Sequence, residues 1–485
     1  MDADKLLQAV SGSAPQSRWH GNRISGSIRR ARSGRHGVHL HCCLQTEEKR
    51  HHDSKSCKAT FLTETRGRDS KTYTLDSQGH LLLQQESRSD TRGGNSVLTG
   101  LKGFILPKGY PDTVTPDYLP FQLWAVPAHI TGWMGTSLAT SSLLKAVGVA
   151  NSAEGAAAAS AAIKWITKDG IGAAGRSLVG GRLGDVFDED PRRWRMVAEA
   201  FLTVGLALEI ATAFSPTNFV LLAGAGNLSR AAGRGMTNPS FRIIQTHFAA
   251  ANNIGDVAAK EEVWEVTAQL VGLAGSVGLL KAIEATGKPE NVLYVWAVNQ
   301  IAHAWLRYKS LAVLQFDNIN QKRACLLARA SVSGQALPGV QRGNKEESIL
   351  AWPSLARPSL TFATSLEDMF SATASSSGIQ DLCDMYTGQN YLLTWQSRRC
   401  RVILEEHASP EDILLAVWQA AWLDHKGVGD ATKRELQASI DAVRKQGPAF
   451  IHELRRGGWQ VGSVTIRTGQ VRFKRHDEVD LAPIA

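Results

Sequence analysis

The 485-residue chain is 43% hydrophobic and 20% charged, with six cysteines and a net charge of +9. A chain this long buries sizeable cores unaided, so the disulfide framework of a small secreted domain is excluded. Residues 1–100 hold 16 Lys/Arg against 10 Asp/Glu, so the basic surplus sits mostly in the N-terminal tract and the remainder is nearly neutral.

Residues 1–56 are polar, rich in Arg, Ser and His, and without hydrophobic period, the pattern of a disordered basic tail. The stretch 11–36 lacks Asp and Glu, as organelle transit peptides do, although Asp2 and Asp4 precede it. No basic start followed by an apolar core marks a secretory signal, so the protein is not expected to be secreted. His39, His41, Cys42, Cys43, His51, His52 and Cys57 show no CxxC or HxxxH spacing, and a solvated tail explains them better than zinc. The scattered cysteines read as reduced thiols.

In 57–98, Thr72, Thr74 and Leu81–Leu83 flank "DSQG", which predicts a small β-hairpin before a polar linker. Four prolines follow, in "FILPKGYPDTVTPDYLPFQLW": Pro107, Pro111, Pro116 and Pro120. Each fixes φ near −65° and resists a helix interior. The spacing predicts an extended brace that sets the start of the first helix at about Phe121. Tyr110, Tyr118 and Trp124 within it are candidate anchors for a partner, with Asp117 as a polar contact.

Helical patterning then runs to about residue 330, through an alanine-rich block and long apolar stretches stopped at Ser215-Pro216 and "ATGKPEN", which predicts an antiparallel helix pair. A span needs about 20 apolar residues. Val266–Leu280 is bounded by Glu265 and Lys281 and contains Gln269, and the stretch 210–226 contains Pro216 and Asn218. The residues leave a soluble and a membrane-embedded bundle equally open, and the Gly272, Gly275, Gly278 spacing suits close helix contact in either.

Residues 331–348 read as a polar linker, and 349–485 as a small α+β module. There "YLLTW" and "CRVILEE" are predicted strands, and Ser409 caps a helix beginning at Pro410. A second helix spans about 432–456, and two strands flank "TGQ". The fold class is therefore mainly α: a multi-helix bundle led by a proline-rich segment, with a small C-terminal α+β module.

No GxSxG, HExxH, P-loop or kinase-like motif occurs, so the expectation is a protein that is not an enzyme and has no cofactor. "LLAGAGNLSRAAGRG" has two glycines of a dinucleotide turn but lacks the third and the acidic partner, and helix packing around small residues is the plainer account. Asp185, Asp188, Glu189 and Asp190 ahead of Pro191 read as helix capping rather than a metal site. The densest polar cluster is His247, Asn252, Asn253, Asp256, Lys260, Glu261 and Glu262, in which Asp256 and Lys260 stand at i, i+4. It is either a solvated face or a polar site between helices. Basic residues interleaved with aromatics are absent from the folded region, so nucleic acid is not an expected partner.

The proline-spaced segment resembles the signature that opens the conserved domain of the ROOT UVB SENSITIVE family. Further blocks follow in the family's order: "LLKAVGVA", "AAAASAAIKWITKDGIG", "RRWRMVAEA", "GNLSRAAGRG", "THFAAANNIGDVAAKEE" and "RYKSLAVLQFDNINQKR". The resemblance covers about residues 99–330. It implies a mainly helical, membrane-associated protein linked to UV-B response, seedling development and organelle, often plastid, function. It also implies protein partners, another family member among them. The alternative is a transporter-like or small-molecule-handling bundle using His247, Asn252, Asn253, Asp256 and Lys260, whose ligand the residues do not name.

Overall fold

A computed structural model describes residues 40–41, 62–66, 69–75, 81–87, 102–147, 163, 166–167, 169–170, 184–288, 290–353, 356–362, 365–370 and 376–475. The basic tail apart from Leu40–His41, the "DSQG" turn and most of the alanine-rich block lie outside these residues. The chain divides into two compact units, Met1–Gly94 and Asn95–Ala485.

The first unit holds an antiparallel sheet in the order β1 (Leu40–His41), β2 (Leu62–Arg66), β3 (Asp69–Leu75), β4 (Leu81–Ser87). The expected hairpin is β3 and β4, with Tyr73 opposite Leu83 and Leu75 opposite Leu81. Leu40 and His41, within the tract expected to lack structure, pair with Glu64 and Thr63.

In the second unit the proline segment is not extended. Residues 102–105 make one helical turn, and then carbonyls of Pro107, Gly109, Pro111 and Thr115 accept from the backbone N–H three residues on, a succession of turns. Helix α1 (Tyr118–Val147) begins before Phe121, with Pro120 in its first turn, where a missing N–H costs nothing. The bundle continues with α2 (Gly184–Glu189), α3 (Pro191–Ala211), α4 (Phe219–Phe248), α5 (Ile254–Ala285) and α6 (Asn291–Ala312). Asp190 caps α3 by accepting from the Arg193 N–H, as the acidic run ahead of Pro191 predicted. The Gly224-Ala225-Gly226 stretch lies inside α4, so it packs helices and is no phosphate turn. Helices α3 and α4 are closely apposed along their lengths, while α5 and α6 each pack on α1.

The remainder is α+β. Helices α7 (Gln321–Val332), α8 (Val340–Glu346), α9 (Leu366–Phe370), α10 (Ser376–Met385), α11 (Pro410–His425) and α12 (Lys433–Arg456) surround short strands. Strand β8 (Arg399–Glu405) pairs antiparallel with β7 (Tyr391–Gln396) and parallel with β6 (Ser359–Phe362) and β10 (Arg472–Phe473). Ser409 and Thr432 start α11 and α12 with reciprocal capping boxes. The strands flanking "TGQ" do not pair with each other: β9 (Gln460–Val464) runs parallel to β5 (Asn318–Ile319), and β10 joins β8. Residues 331–348 are no linker: α8 lies within them, and Asn344 and Glu347 are buried. Helix α7, at the edge of the expected bundle, packs on α11 in the C-terminal core.

Candidate functional site

The two candidate sets meet at one place. Lys260 donates from Nζ to the carbonyls of Gly103 (2.7 Å) and Phe104 (3.1 Å), and the Lys108 N–H donates to Oδ2 of Asp256 at 2.7 Å. Asp256 and Lys260 therefore grip the proline segment rather than each other. His247, at the end of α4, faces Asp117: Nε2 and Oδ2 stand 2.9 Å apart, and the Gln315 N–H donates to the same oxygen at 2.7 Å. Burial pushes the Asp117 carboxyl up, but the His247 hydrogen bond and charge and the Gln315 N–H outweigh it and hold the group below its ordinary range. Glu261, buried on α5, accepts from Nε2 of Gln122 at 3.2 Å. Asn252 is exposed, with φ 56°, and half-buried Asn253 precedes α5 without capping it through its side chain.

The segment offers less surface than its prolines and aromatics suggest. Pro107, Asp117 and Tyr118 are buried, and the Tyr118 ring meets Phe248 edge-on at 5.3 Å. Tyr118 is thus a core residue and no partner anchor. Pro111, Pro116 and Pro120 are exposed, Tyr110 is half-buried against the core, and Trp124 stands edge-on to Trp305 of α6 at 5.5 Å. The brace ties the start of α1 to the α4–α5 corner.

Two charged clusters escaped the reading of the sequence. In the bundle, Oε1 of Glu199 receives both Arg195 Nη1 (2.5 Å) and Arg307 Nε (2.9 Å), while Oε2 faces His303 Nε2 at 3.1 Å. Glu209 binds Arg230 at 2.7 Å between α3 and α4. Where the C-terminal core begins, Glu347 gathers Arg192, Arg323 Nε (2.7 Å), Asn320 Nδ2 (2.9 Å) and Lys322 (3.5 Å). Burial alone would raise the Glu347 carboxyl, yet the charges of Arg323, Arg192 and Lys322 hold it at about 2. The available signals were the i, i+4 pairs Arg195/Glu199 and His303/Arg307, which place both members on one face of helices rich in apolar residues.

Around this charged interior the bundle is apolar outside. Phe201 and Val204 on α3, Leu221 and Leu228 on α4, Leu270, Val271 and Val277 on α5, and Tyr294, Val298, Ile301 and Trp305 on α6 are all exposed. Ile254–Ala285 is the single described helix long and apolar enough to cross a membrane, with a best 18-residue window of mean hydropathy 1.5, of which 22% is buried.

Residues 91–334 match the family model described as the vitamin B6 photo-protection and homoeostasis domain, and residues 337–473 match that of the root UVB sensitive protein C-terminal region. The chain is 38% identical to protein root UVB sensitive 5 of Arabidopsis thaliana, over 87% of this chain and 90% of that protein. It is 32% identical to RUS family member 1 of Dictyostelium discoideum over 51% and 47% of the two chains. It is 24% identical to protein root UVB sensitive 2, chloroplastic, of Arabidopsis thaliana, over 84% and 93%. No solved structure matches. With both family models in register and a relative of that identity along most of its length, the chain belongs to the root UVB sensitive family.

Proposed function

We propose that the protein is a membrane-associated, non-enzymatic helical protein whose bundle lies in a bilayer, leaving the C-terminal α+β region in water for protein partners, another family member among them. The observation that carries this is the inverted bundle: ionisable residues Arg195, Glu199, Glu209, His303 and Arg307 are buried, while Leu221, Leu270, Val298 and Ile301 face outward. In water such an exterior is a large unpaid apolar surface; in lipid it is the expected one, with charges turned inward and paired. Helices α3 and α6, of 21 and 22 residues, and the longer α1, α4 and α5 reach across about 30 Å of hydrocarbon at 1.5 Å per residue. Interior charge lowers the mean hydropathy of helices such as α3.

The family description supports a role in vitamin B6 homoeostasis and UV-B response, and the relative named chloroplastic supports an organelle, with the plastid first. Carbonate extraction of the full-length protein from a membrane fraction tests the bilayer reading. Retention in the pellet is the expected result, and complete release to the supernatant overturns it.

A further inference from the structure

Helices α1, α3, α4 and α6 line a half-open cavity of about 380 Å³, the size of sites that hold small organic ligands. Four guanidinium groups line it: Arg195, Arg230, Arg234 and Arg307. Arg230, Arg234 and Thr237 stand at i, i+4, i+7 on α4 and so share one face. Arg195 and Arg307 are buried, Arg230 is half-buried and Arg234 is exposed. A guanidinium keeps its proton at any working pH, so the burial of Arg195 and Arg307 is tolerable only with an anion nearby. Glu209 answers Arg230, but Arg195 and Arg307 converge on one oxygen of Glu199. Half-buried Glu265 of α5 adds a carboxylate at longer range. Arg307 is 4% exposed, and its two terminal nitrogens make no hydrogen bond among the described residues. They are not among the sealed polar atoms, so they open on the cavity.

The rest of the lining is chemically different. Trp133, Leu202 and Leu206 form an apolar wall beside the arginines. A ligand that satisfies both sides carries an oxyanion on one end and an apolar body on the other. A tetrahedral phosphate presents several acceptor oxygens to forked donors arriving from more than one helix, which a single carboxylate does not.

We propose that this cavity is a binding site for a small organic phosphate, a phosphate monoester carried on an apolar body, with Arg195 and Arg307 as its principal phosphate ligands. The site is built from side chains alone, so the inference holds whether the bundle lies in lipid or in water.

The test is calorimetric titration of the purified full-length protein with phenyl phosphate, with inorganic phosphate and benzoate as comparison arms. One saturable site is expected for phenyl phosphate, at least about tenfold tighter than for either comparison, since inorganic phosphate lacks the apolar body and benzoate offers a carboxylate in place of the phosphate. Arg307→Lys keeps the charge but loses the fork, and weakens binding by about tenfold or more. Leu202→Trp fills the apolar side and abolishes it. Amide exchange on the unsubstituted protein locates the ligand without relying on any variant's folding: protection is expected in the segments 195–206, 230–237 and 300–307. The proposal is overturned by absence of a saturable site for phenyl phosphate, by protection elsewhere, by folded variants that bind as before, or by inorganic phosphate or benzoate binding as tightly as phenyl phosphate.

Discussion

Oδ2 of Asp117 accepts from the backbone N–H of Gln315 at 2.7 Å and lies 2.9 Å from Nε2 of His247, joining the start of α1 to the end of α4 and to the chain leaving α6. Three segments far apart in sequence are therefore pinned by one carboxylate oxygen. Asp117→Ala leaves the His247 ring and the Gln315 N–H without their acceptor inside the core, a loss of about 2–4 kcal/mol. The pH dependence follows from the lowered carboxyl. A depressed folded-state value means the stabilisation is complete above the ordinary 3.8 and is lost as pH falls through the lower folded value. Melting curves of the unsubstituted protein and Asp117→Asn are expected to lie well apart at pH 7 and to converge as pH falls below 3.8 through the lower folded value. A gap that stays constant with pH excludes the ionised form as the source.

Glu347 makes a similar argument at the base of the C-terminal region. Its carboxyl, held at about 2 against an ordinary 4.5, contributes stability that is full above 4.5 and lost progressively toward pH 2. The difference corresponds to about 3 kcal/mol. Glu347→Gln is expected to cost at least that at pH 7, because Arg192, Arg323 and Lys322 would then surround a neutral amide. The loss is read as a lower melting temperature and faster amide exchange over α7 and α8. Unchanged exchange there would mean the network does not hold these helices together.

What the sequence disclosed is what local rules govern. Ser409 announced its helix because a cap acts within three residues, and β7 and β8 announced themselves by apolar runs beside turn residues. The acidic run ahead of Pro191 was likewise legible as a cap. Parallel pairing of β9 with β5 was not, because its register is set by α7, α11 and α12 lying between the two strands in sequence. Nor was the role of Lys260, whose partners are backbone carbonyls that carry no side-chain signature. The Glu199 cluster was hidden differently: its arginines and histidine stand on two helices about a hundred residues apart, and α6 alone shows cationic side chains with no acid to pair them.

The glycines of α3, α4 and α5 separate into those that permit contact and those that do not. A Cβ on Gly205 would stand 2.6 Å from the Gly226 carbonyl oxygen, and one on Gly272 would stand 2.8 Å from that of Ile130, so both substitutions push backbone from backbone. Nothing lies within 4 Å of the same position on Gly278. Gly205→Ala and Gly272→Ala are expected to destabilise by about 1–3 kcal/mol through overpacking. Gly278→Ala should stabilise by up to about 1 kcal/mol through helix propensity. Thermal melts of the three variants under one condition check the order, and a stabilised Gly205→Ala would contradict the close α3–α4 approach.

The apolar exterior supports the last prediction, in which the same substitution has opposite consequences in the two solvents. Leu221 and Ile301 are 71% and 72% exposed and belong to α4 and α6. If water surrounds them, Leu221→Glu and Ile301→Glu remove exposed apolar surface, change stability by no more than about 0.5 kcal/mol and improve solubility. If lipid surrounds them, Ile301→Glu, midway along α6, buries a carboxylate in hydrocarbon at a cost of about 2.5–3.5 kcal/mol, and Leu221→Glu, in the first turn of α4, costs less. The double variant is then expected to lose most of its resistance to carbonate extraction, while Glu262→Gln, at an exposed position near the start of α5, keeps it. Retention equal to that of the unsubstituted protein would mean that neither face touches lipid, and the bundle would then have to cover this surface with protein.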